Sequence, residues 1–193
     1  INFKLNIKNI LVTFHPVTLE GKTSKKHFQE LLDSIDDLED TNIIFTKANS
    51  DVDGKVINQM INQYTKKNLK KSFCVASLGQ LRYLSALQYI DFIIGNSSSG
   101  LLEAPSFKIG TINIGDRQNG RLKAESVVDC LPNKKNIKKA IKKIYSNKFQ
   151  NLLKDIKNPY GHGCASKKII KVLKIIKLDK ILKKKFFDIK FSL

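Results

Sequence analysis

Short apolar runs rich in β-branched residues alternate along the chain with longer stretches whose apolar residues recur at helical spacing. Each short run predicts a buried strand, and each amphipathic stretch predicts a helix that covers the sheet. Alternating units of this kind build a parallel sheet with helices on both faces. The pattern therefore predicts an α/β fold.

The elements can be assigned to residues. The predicted strands are Ile10–Phe14, Asn42–Thr46, Phe73–Ala76, Phe92–Gly95, Thr111–Ile114 and Ser126–Val128. The predicted helices are Thr23–Leu38, Gly54–Lys67, Gly79–Tyr89, Ser98–Ser106, Asn136–Tyr145 and a long one from Ala165 onward. Pro105 should end or bend its helix, because proline lacks an N–H and clashes with the preceding turn. Crossovers of this length favour a doubly wound, Rossmann-like sheet.

The segment 147–163 is predicted to be a connection, because Pro159, Gly161 and Gly163 interrupt it. It precedes the last helix and does not have the composition of a boundary between independent domains. We therefore expect one Rossmann-like domain over residues 1–163 and a basic helical tail over residues 164–193.

The formal net charge of +18 is concentrated near the end of the chain. Residues 133–193 carry 19 lysines and 3 acidic residues, a balance of +16, whereas residues 1–132 carry 16 basic and 14 acidic residues, a balance of +2. Because the excess charge lies outside the strand-rich region, we expect neither nucleic acid nor a membrane as a partner.

The cysteines also limit the choice of protein class. Cys74, Cys130 and Cys164 are far apart and show no CxxC spacing. This arrangement predicts neither a disulfide framework nor a zinc site, and it fits a reducing cytoplasm. No apolar run approaches the roughly eighteen residues that a transmembrane helix needs.

Polar residues follow four of the predicted strands. In a doubly wound sheet, ligands bind outside the carboxyl ends of the strands, so these residues should converge on one crevice. The segments are Thr13-Phe14-His15-Pro16-Val17-Thr18, Lys47-Ala48-Asn49, Asn96-Ser97-Ser98-Ser99-Gly100 and Gly115-Asp116-Arg117-Gln118.

The run Gly95–Gly100 leaves a strand and opens a helix. Backbone N–H groups, serine hydroxyls and the positive end of the helix dipole at such a terminus can bind phosphate. The run is neither a P-loop nor a GxGxxG element. An ordinary N-cap serine explains these residues equally well.

Three further residues allow two interpretations each. Glu103 lies about 7–8 Å along the helix from Ser98, the span from a diphosphate to its ribose, but a glutamate in a first turn is also favoured by the helix dipole. Arg117 could grip diphosphate oxygens in a fork or be an exposed loop residue. His15, held extended before Pro16, could donate to a phosphate or transfer a proton, or be structural.

Four ordered motifs, taken together, resemble the UDP-N-acetylglucosamine 2-epimerase family, and more closely its hydrolysing branch. The motifs are Phe14–Thr18, Gly95–Phe107, Thr111–Arg121 and Asn158–Gly161. The resemblance implies a GT-B arrangement, in which a nucleotide sugar lies between two Rossmann-like domains. This chain resembles the second domain alone, so the resemblance implies an inactive half of a full-length enzyme that forms a homo-oligomer.

The reaction that the resemblance implies is elimination of UDP from UDP-N-acetylglucosamine or a related UDP-sugar, followed by hydration that inverts C2. No metal and no cofactor is implied. Ser97 and Ser98 match the hydroxyls that hold the phosphates, Glu103 matches the carboxylate on the ribose, and Arg117 matches a diphosphate contact.

The remaining matches concern the sugar and the base. His15 matches an active-site histidine and is the catalytic candidate of this chain, and Asn49 matches a polar residue of the same crevice. Leu78 matches a position whose backbone reads the uracil. Two alternatives stay open: a nucleotide-binding domain of a GT-B glycosyltransferase, and a basic, non-enzymatic binding module that acts through Lys134–Lys190. The apolar residues Ile169 and Leu173 predict that the last helix packs on the domain, which argues against the binding module.

Overall fold

The computed structural model describes residues 3–17, 23–49, 53–179 and 183. The strands are β1 (Lys8–Thr13), β2 (Thr41–Thr46), β3 (Ser72–Val75), β4 (Phe92–Gly95), β5 (Gly110–Ile114) and β6 (Val127–Cys130). The helices are α1 (Ser24–Ile35), α2 (Gly54–Lys67), α3 (Gly79–Leu87), α4 (Ser99–Leu102), α5 (Lys134–Ile144), α6 (Asn147–Lys154) and α7 (Ala165–Ile175).

The strands form one sheet in the order β3-β2-β1-β4-β5-β6, and every neighbouring pair is parallel. The predicted doubly wound, Rossmann-like fold is therefore confirmed. The strand order reverses direction between β1 and β4, and this switch point is where such sheets bind ligands. Thr13 pairs with both Thr46 and Gly95, so β1, β2 and β4 end level with one another.

Successive residues of a strand face opposite sides of the sheet, and the core is divided accordingly. Ile10 and Val12 belong to a large apolar cluster that includes Phe28 of α1 and residues of α2, α5 and α6. Leu11 belongs to a smaller cluster on the other face, which includes Leu87 of α3. Both faces are thus covered, as the apolar character of the strands predicts.

Helix α6 contradicts the prediction that segment 147–163 is only a connection. Ser146 caps this helix, because its Oγ accepts a hydrogen bond from the N–H of Phe149 at 3.3 Å. Phe149 and Leu153 are buried in the large cluster. Their spacing is helical, and this signal was outweighed by the proline and glycines that follow the helix.

The predicted helix Ser98–Ser106 is divided in two, so its length was overestimated. The α-helical part, α4, ends at Leu102, and a 3-10 helix runs from Ala104 to Phe107. Pro105 lies at the start of the 3-10 helix. The prediction that Pro105 ends or bends this helix is confirmed, since the α-helix stops before the proline and leaves Glu103 at the junction.

The chain divides into two compact units, Ile1–Gly161 and His162–Leu193. The first contains the sheet with α1–α6, and the second contains α7. The separate role of the basic tail and the packing of its helix stay predictions, and most of residues 180–193 lie outside the described residues. Within the described ranges, no helix combines the length and the apolar character needed to cross a membrane.

Substitution of Gly95 tests whether the close approach of β4 to β1 positions the loop after β4. Its φ is 143°, and a Cβ added there would lie 1.9 Å from the carbonyl oxygen of Thr13. We expect Gly95→Ala to lower the free energy of unfolding by about 3 kcal/mol or more, because backbone strain and a clash add together. Urea unfolding followed by circular dichroism measures this change.

Gly115→Ala is the matched control. Gly115 also has a positive φ, of 76°, but a Cβ there would meet nothing within 4 Å. Only the cost of the left-handed conformation applies, about 1–2 kcal/mol. Equal losses of stability in the two variants would contradict the role of Gly95.

Candidate functional site

A cavity of about 440 Å³ opens at the carboxyl edge of the sheet, beside the switch point. Four of the seven residues predicted for the site line it, namely His15, Leu78, Ser97 and Glu103. The other three lie close by. Asn49 is hydrogen-bonded to His15, Arg117 is hydrogen-bonded to the residue before Ser97, and Ser98 immediately precedes α4.

The backbone of His15 is held by the side chain of Asn96. The Oδ1 atom of Asn96 accepts from the N–H of His15 at 2.7 Å, and its Nδ2 donates to the carbonyl oxygen of His15 at 2.8 Å. Asn96 is only 1% exposed. Because the amide satisfies both backbone groups where β1 leaves the sheet, the position of His15 depends on Asn96.

The ring of His15 is oriented by Asn49. Its Nδ1 lies 2.9 Å from Oδ1 of Asn49 and 3.4 Å from the backbone N–H of the same residue. Nδ1 cannot donate to Oδ1 of Asn49 and accept from the N–H of Asn49 at the same time. The contact with Oδ1 is the shorter and therefore the stronger. We therefore assign the proton of the neutral ring to Nδ1, which makes Nε2 its acceptor nitrogen.

The position of Asn49 depends on Gly54. A Cβ at Gly54 would lie 2.0 Å from the carbonyl oxygen of Asn49, so no other residue fits there without moving the chain. Gly54 begins α2, and the backbone of this helix can therefore approach the loop after β2 closely. This close approach keeps Asn49 within reach of His15.

The serine run after β4 presents several hydrogen-bond donors. Within the described residues, the backbone N–H groups of Ser97 and Ser98 make no hydrogen bond. Helix α4 has only four residues, so its dipole is too short to be the main attraction for an anion. The hydroxyl and N–H groups are thus the chief donors, and the expected contribution of the helix dipole is correspondingly smaller.

Arg117 and Gln118 both donate to the backbone carbonyl oxygen of Asn96. The Nη1 atom of Arg117 lies 3.0 Å from this oxygen, and Nε2 of Gln118 lies 2.8 Å from it. Gln118 is buried, with 1% of its surface exposed, whereas Arg117 is exposed. These contacts anchor the guanidinium group beside the serine run, on the side of β5.

Glu103 and Tyr83 also line the cavity. Burial raises the pKa of the Glu103 carboxyl above its ordinary value. Burial also raises the pKa of Tyr83 to about 12, so its hydroxyl keeps its proton at neutral pH. Lys47 lines the same cavity. The site therefore combines cationic groups and neutral donors with one carboxylate.

Sequence reasoning gave no role to Asn96, Gln118 or Tyr83. A signal existed for Asn96, because an amide directly after a glycine at a strand end is well placed to satisfy backbone groups. Gln118 stood in a quoted segment but was not singled out. Nothing in the sequence indicated Tyr83, because the contacts of a tyrosine on a helix depend on the tertiary packing.

A second cavity, of about 610 Å³, lies between β6 and α5. It is lined by residues such as Asn136, Lys139 and Lys143 and by none of the seven predicted site residues. The smaller cavity is the better candidate because it contains the convergent donors. In the part of the chain that the structure describes, no cluster of three or more His, Cys, Asp or Glu residues could hold a metal ion.

Comparison with known proteins agrees with these observations. The sequence profile of the family described as UDP-N-acetylglucosamine 2-epimerase matches residues 2–174. The GDP/UDP-N,N'-diacetylbacillosamine 2-epimerase (hydrolyzing) of Campylobacter jejuni is 42% identical over 98% of this chain. The polysialic acid biosynthesis protein P7 of Escherichia coli is 35% identical over 93% of it. The chain spans about half the length of these relatives, 49% and 46%.

Solved structures show the same fold. The co-structure of S. aureus MnaA with UDP matches 86% of this chain and 44% of that protein, with a TM-score of 0.65 and 23% identity. At this identity the likeness concerns the fold alone. The family profile covers most of the chain, and the resemblance inferred from the four motifs is confirmed: the chain belongs to the UDP-N-acetylglucosamine 2-epimerase family.

Proposed function

We propose that this chain is the UDP-binding half of a hydrolysing UDP-N-acetylglucosamine 2-epimerase, which converts UDP-N-acetylglucosamine or a related UDP-sugar to a N-acetylmannosamine-type sugar and UDP. The observation that carries the proposal is the convergence of Ser97, Arg117 and Glu103 at the switch point of the sheet. Membership of the family favours this reaction over glycosyl transfer and over a non-enzymatic binding module.

The diphosphate is proposed to lie against the serine run. The hydroxyls and N–H groups of Ser97 and Ser98 donate to its oxygens, and the guanidinium group of Arg117 binds it from the side of β5. UDP leaves with additional negative charge, and donors already aimed at it stabilise that charge. Each such donor lowers the barrier by about 3–4 kcal/mol where it acts as an oxyanion-hole donor does.

The nucleoside is proposed to extend from the serine run towards α3. Glu103 lies in the same cavity and can accept hydrogen bonds from both ribose hydroxyls. Leu78 is buried at the start of α3, and Gly79 follows it with a φ of 65°. The backbone at Leu78 is thereby open to the edge of a uracil ring, as the resemblance implies.

The chemistry is proposed to proceed in two steps. The C1–O bond to UDP breaks as the proton on C2 is removed, which gives a 2-acetamidoglucal and UDP. Water then adds across the C1–C2 double bond, with its oxygen on C1 and a proton returned to C2 from the opposite face. His15 is the catalytic candidate of this chain, because Asn49 orients its ring at the cavity.

The other acid and base groups are proposed to come from the half of the enzyme that this chain does not cover. The chain matches 49% of its Campylobacter jejuni relative, and it is expected to be inactive by itself. The names of the relatives support a sugar of the N-acetylglucosamine or diacetamido type and a role in sialic-acid-type biosynthesis. A cytoplasmic location and a homo-oligomeric full-length enzyme remain part of the proposal.

Calorimetric titration of this chain with UDP tests the nucleotide site. We expect binding, and we expect Arg117→Ala to weaken it by at least about tenfold, because a charged hydrogen-bond donor to the diphosphate is lost. Arg121→Ala is the matched control, since Arg121 is an exposed arginine of the same loop. The proposal fails if the folded chain does not bind millimolar UDP, or if both variants bind it equally well.

The pH dependence of uridine binding tests Glu103. Burial raises the pKa of this carboxyl, and the ionised form is the stronger acceptor for two ribose hydroxyls, because protonation turns one carboxyl oxygen into a donor. Affinity should therefore be full above the raised pKa and fall by up to about tenfold per pH unit below it. Uridine carries no phosphate, so no group of the ligand titrates at the pH values where Glu103 changes its charge.

Glu103→Gln is the companion variant. It keeps the shape of the side chain but cannot ionise, so its uridine affinity should be lower, and the pH dependence that comes from Glu103 should disappear. Identical pH profiles for the two proteins would exclude Glu103 from the ribose site. Circular dichroism at each pH checks that the fold persists.

A further inference from the structure

Three hydroxyl groups form a chain of hydrogen bonds from α3 to the serine run. The hydroxyl of Tyr83 donates to Oγ of Ser99 at 2.6 Å, and the hydroxyl of Ser99 donates to Oγ of Ser97 at 3.2 Å. All three residues line the candidate cavity. Neither Tyr83 nor Ser99 has a role in the function proposed above.

The direction of the donors along this chain is fixed. A hydroxyl has one proton to donate and two lone pairs that can accept. The hydroxyl of Tyr83 is the donor to Oγ of Ser99, and burial, which raises the pKa of Tyr83 to about 12, ensures that this hydroxyl keeps its proton. Ser99 has accepted this bond and directs its own proton to Ser97.

The Ser97 hydroxyl can therefore act toward a ligand only as a hydrogen-bond donor. Its Oγ accepts from the hydroxyl of Ser99 and, in a longer and weaker bond of 3.4 Å, from the N–H of Ser99. Both lone pairs of Ser97 are therefore engaged, and its proton points away from Ser99. A hydroxyl in this state donates to a ligand oxygen and cannot accept from a ligand donor.

We propose that Tyr83 is a positioning residue that, through Ser99, commits the Ser97 hydroxyl to donate to an anionic oxygen of the ligand. The proposal rests on the function proposed above, in which Ser97 binds the diphosphate. A serine without such partners rotates and can serve as donor or acceptor. The relay aligns the donor before the ligand arrives, and chains of hydrogen bonds strengthen one another.

The packing of Tyr83 makes the relay separable from the fold. Its ring packs against the smaller apolar cluster, on the face of the sheet that contains Leu87. Replacement by phenylalanine keeps this ring and removes only the hydroxyl. A change in ligand preference in Tyr83→Phe would therefore report the relay and not the core.

The test is calorimetry of Tyr83→Phe and Ser99→Ala with UDP, uridine and inorganic pyrophosphate. We expect each variant to bind UDP and pyrophosphate about tenfold more weakly, as for loss of a hydrogen bond to a charged group, and to bind uridine within about twofold of the parent chain. The double variant should bind no more weakly than either single variant, since one break already interrupts the relay.

Tyr89→Phe is the matched control, because Tyr89 is an exposed tyrosine close to the end of α3. It should leave all three affinities unchanged. Unchanged UDP and pyrophosphate affinities in Tyr83→Phe, or an equal loss for uridine, would overturn the relay.

The pyrophosphate measurement distinguishes this result from failure of the proposed function. A parent chain that binds pyrophosphate in a Tyr83-dependent manner but does not bind UDP would refute the nucleotide site and support the relay. A folded chain that binds neither anion would overturn both.

Discussion

The buried residue Asn96 joins the ends of three strands through its side chain and its backbone, and the candidate site is built around it. The side-chain amide of Asn96 makes paired hydrogen bonds to the backbone of His15, and the backbone carbonyl oxygen of Asn96 accepts from Arg117 and Gln118. Asparagine suits this position because one side chain supplies both a donor and an acceptor to a backbone that has left the sheet. With Asn96 in place, the loops after β1, β4 and β5 have fixed relative positions.

This arrangement also has an energetic cost. Oε1 of Gln118 is buried and has no hydrogen-bond partner within the described residues, although its Nε2 is satisfied by Asn96. An unsatisfied buried acceptor costs about 1–3 kcal/mol. The glycine before Asn96 adds a backbone conformation that other residues tolerate poorly. Local stability is thus sacrificed where side chains converge on a ligand, which is usual for functional sites.

The sequence allowed more of the fold to be predicted than of the site. The bounds of α2 and β4 were predicted to the residue, because α2 is a clear helical pattern that begins at a glycine and β4 is a short apolar run that ends at one. Helix α6 was missed because nearby proline and glycines outweighed its short apolar pattern. The order of loops at the cavity followed from the strand pattern, but the contacts of Asn96 did not. Those with His15 join residues 81 positions apart, and those with Arg117 and Gln118 join residues 21 and 22 positions apart. Only the folded chain shows which donors reach which acceptors.

The large positive charge has little part in this picture, since the cavity at the switch point depends on a few oriented donors. The most direct test of that claim is mapping of UDP binding on the ¹⁵N-labelled chain by NMR. We predict that the amides of His15, Leu78, Ser97 and Glu103 shift as UDP is added. Shifts confined to the second cavity, around Asn136 and Lys139, or the absence of any shift at saturating UDP, would contradict it.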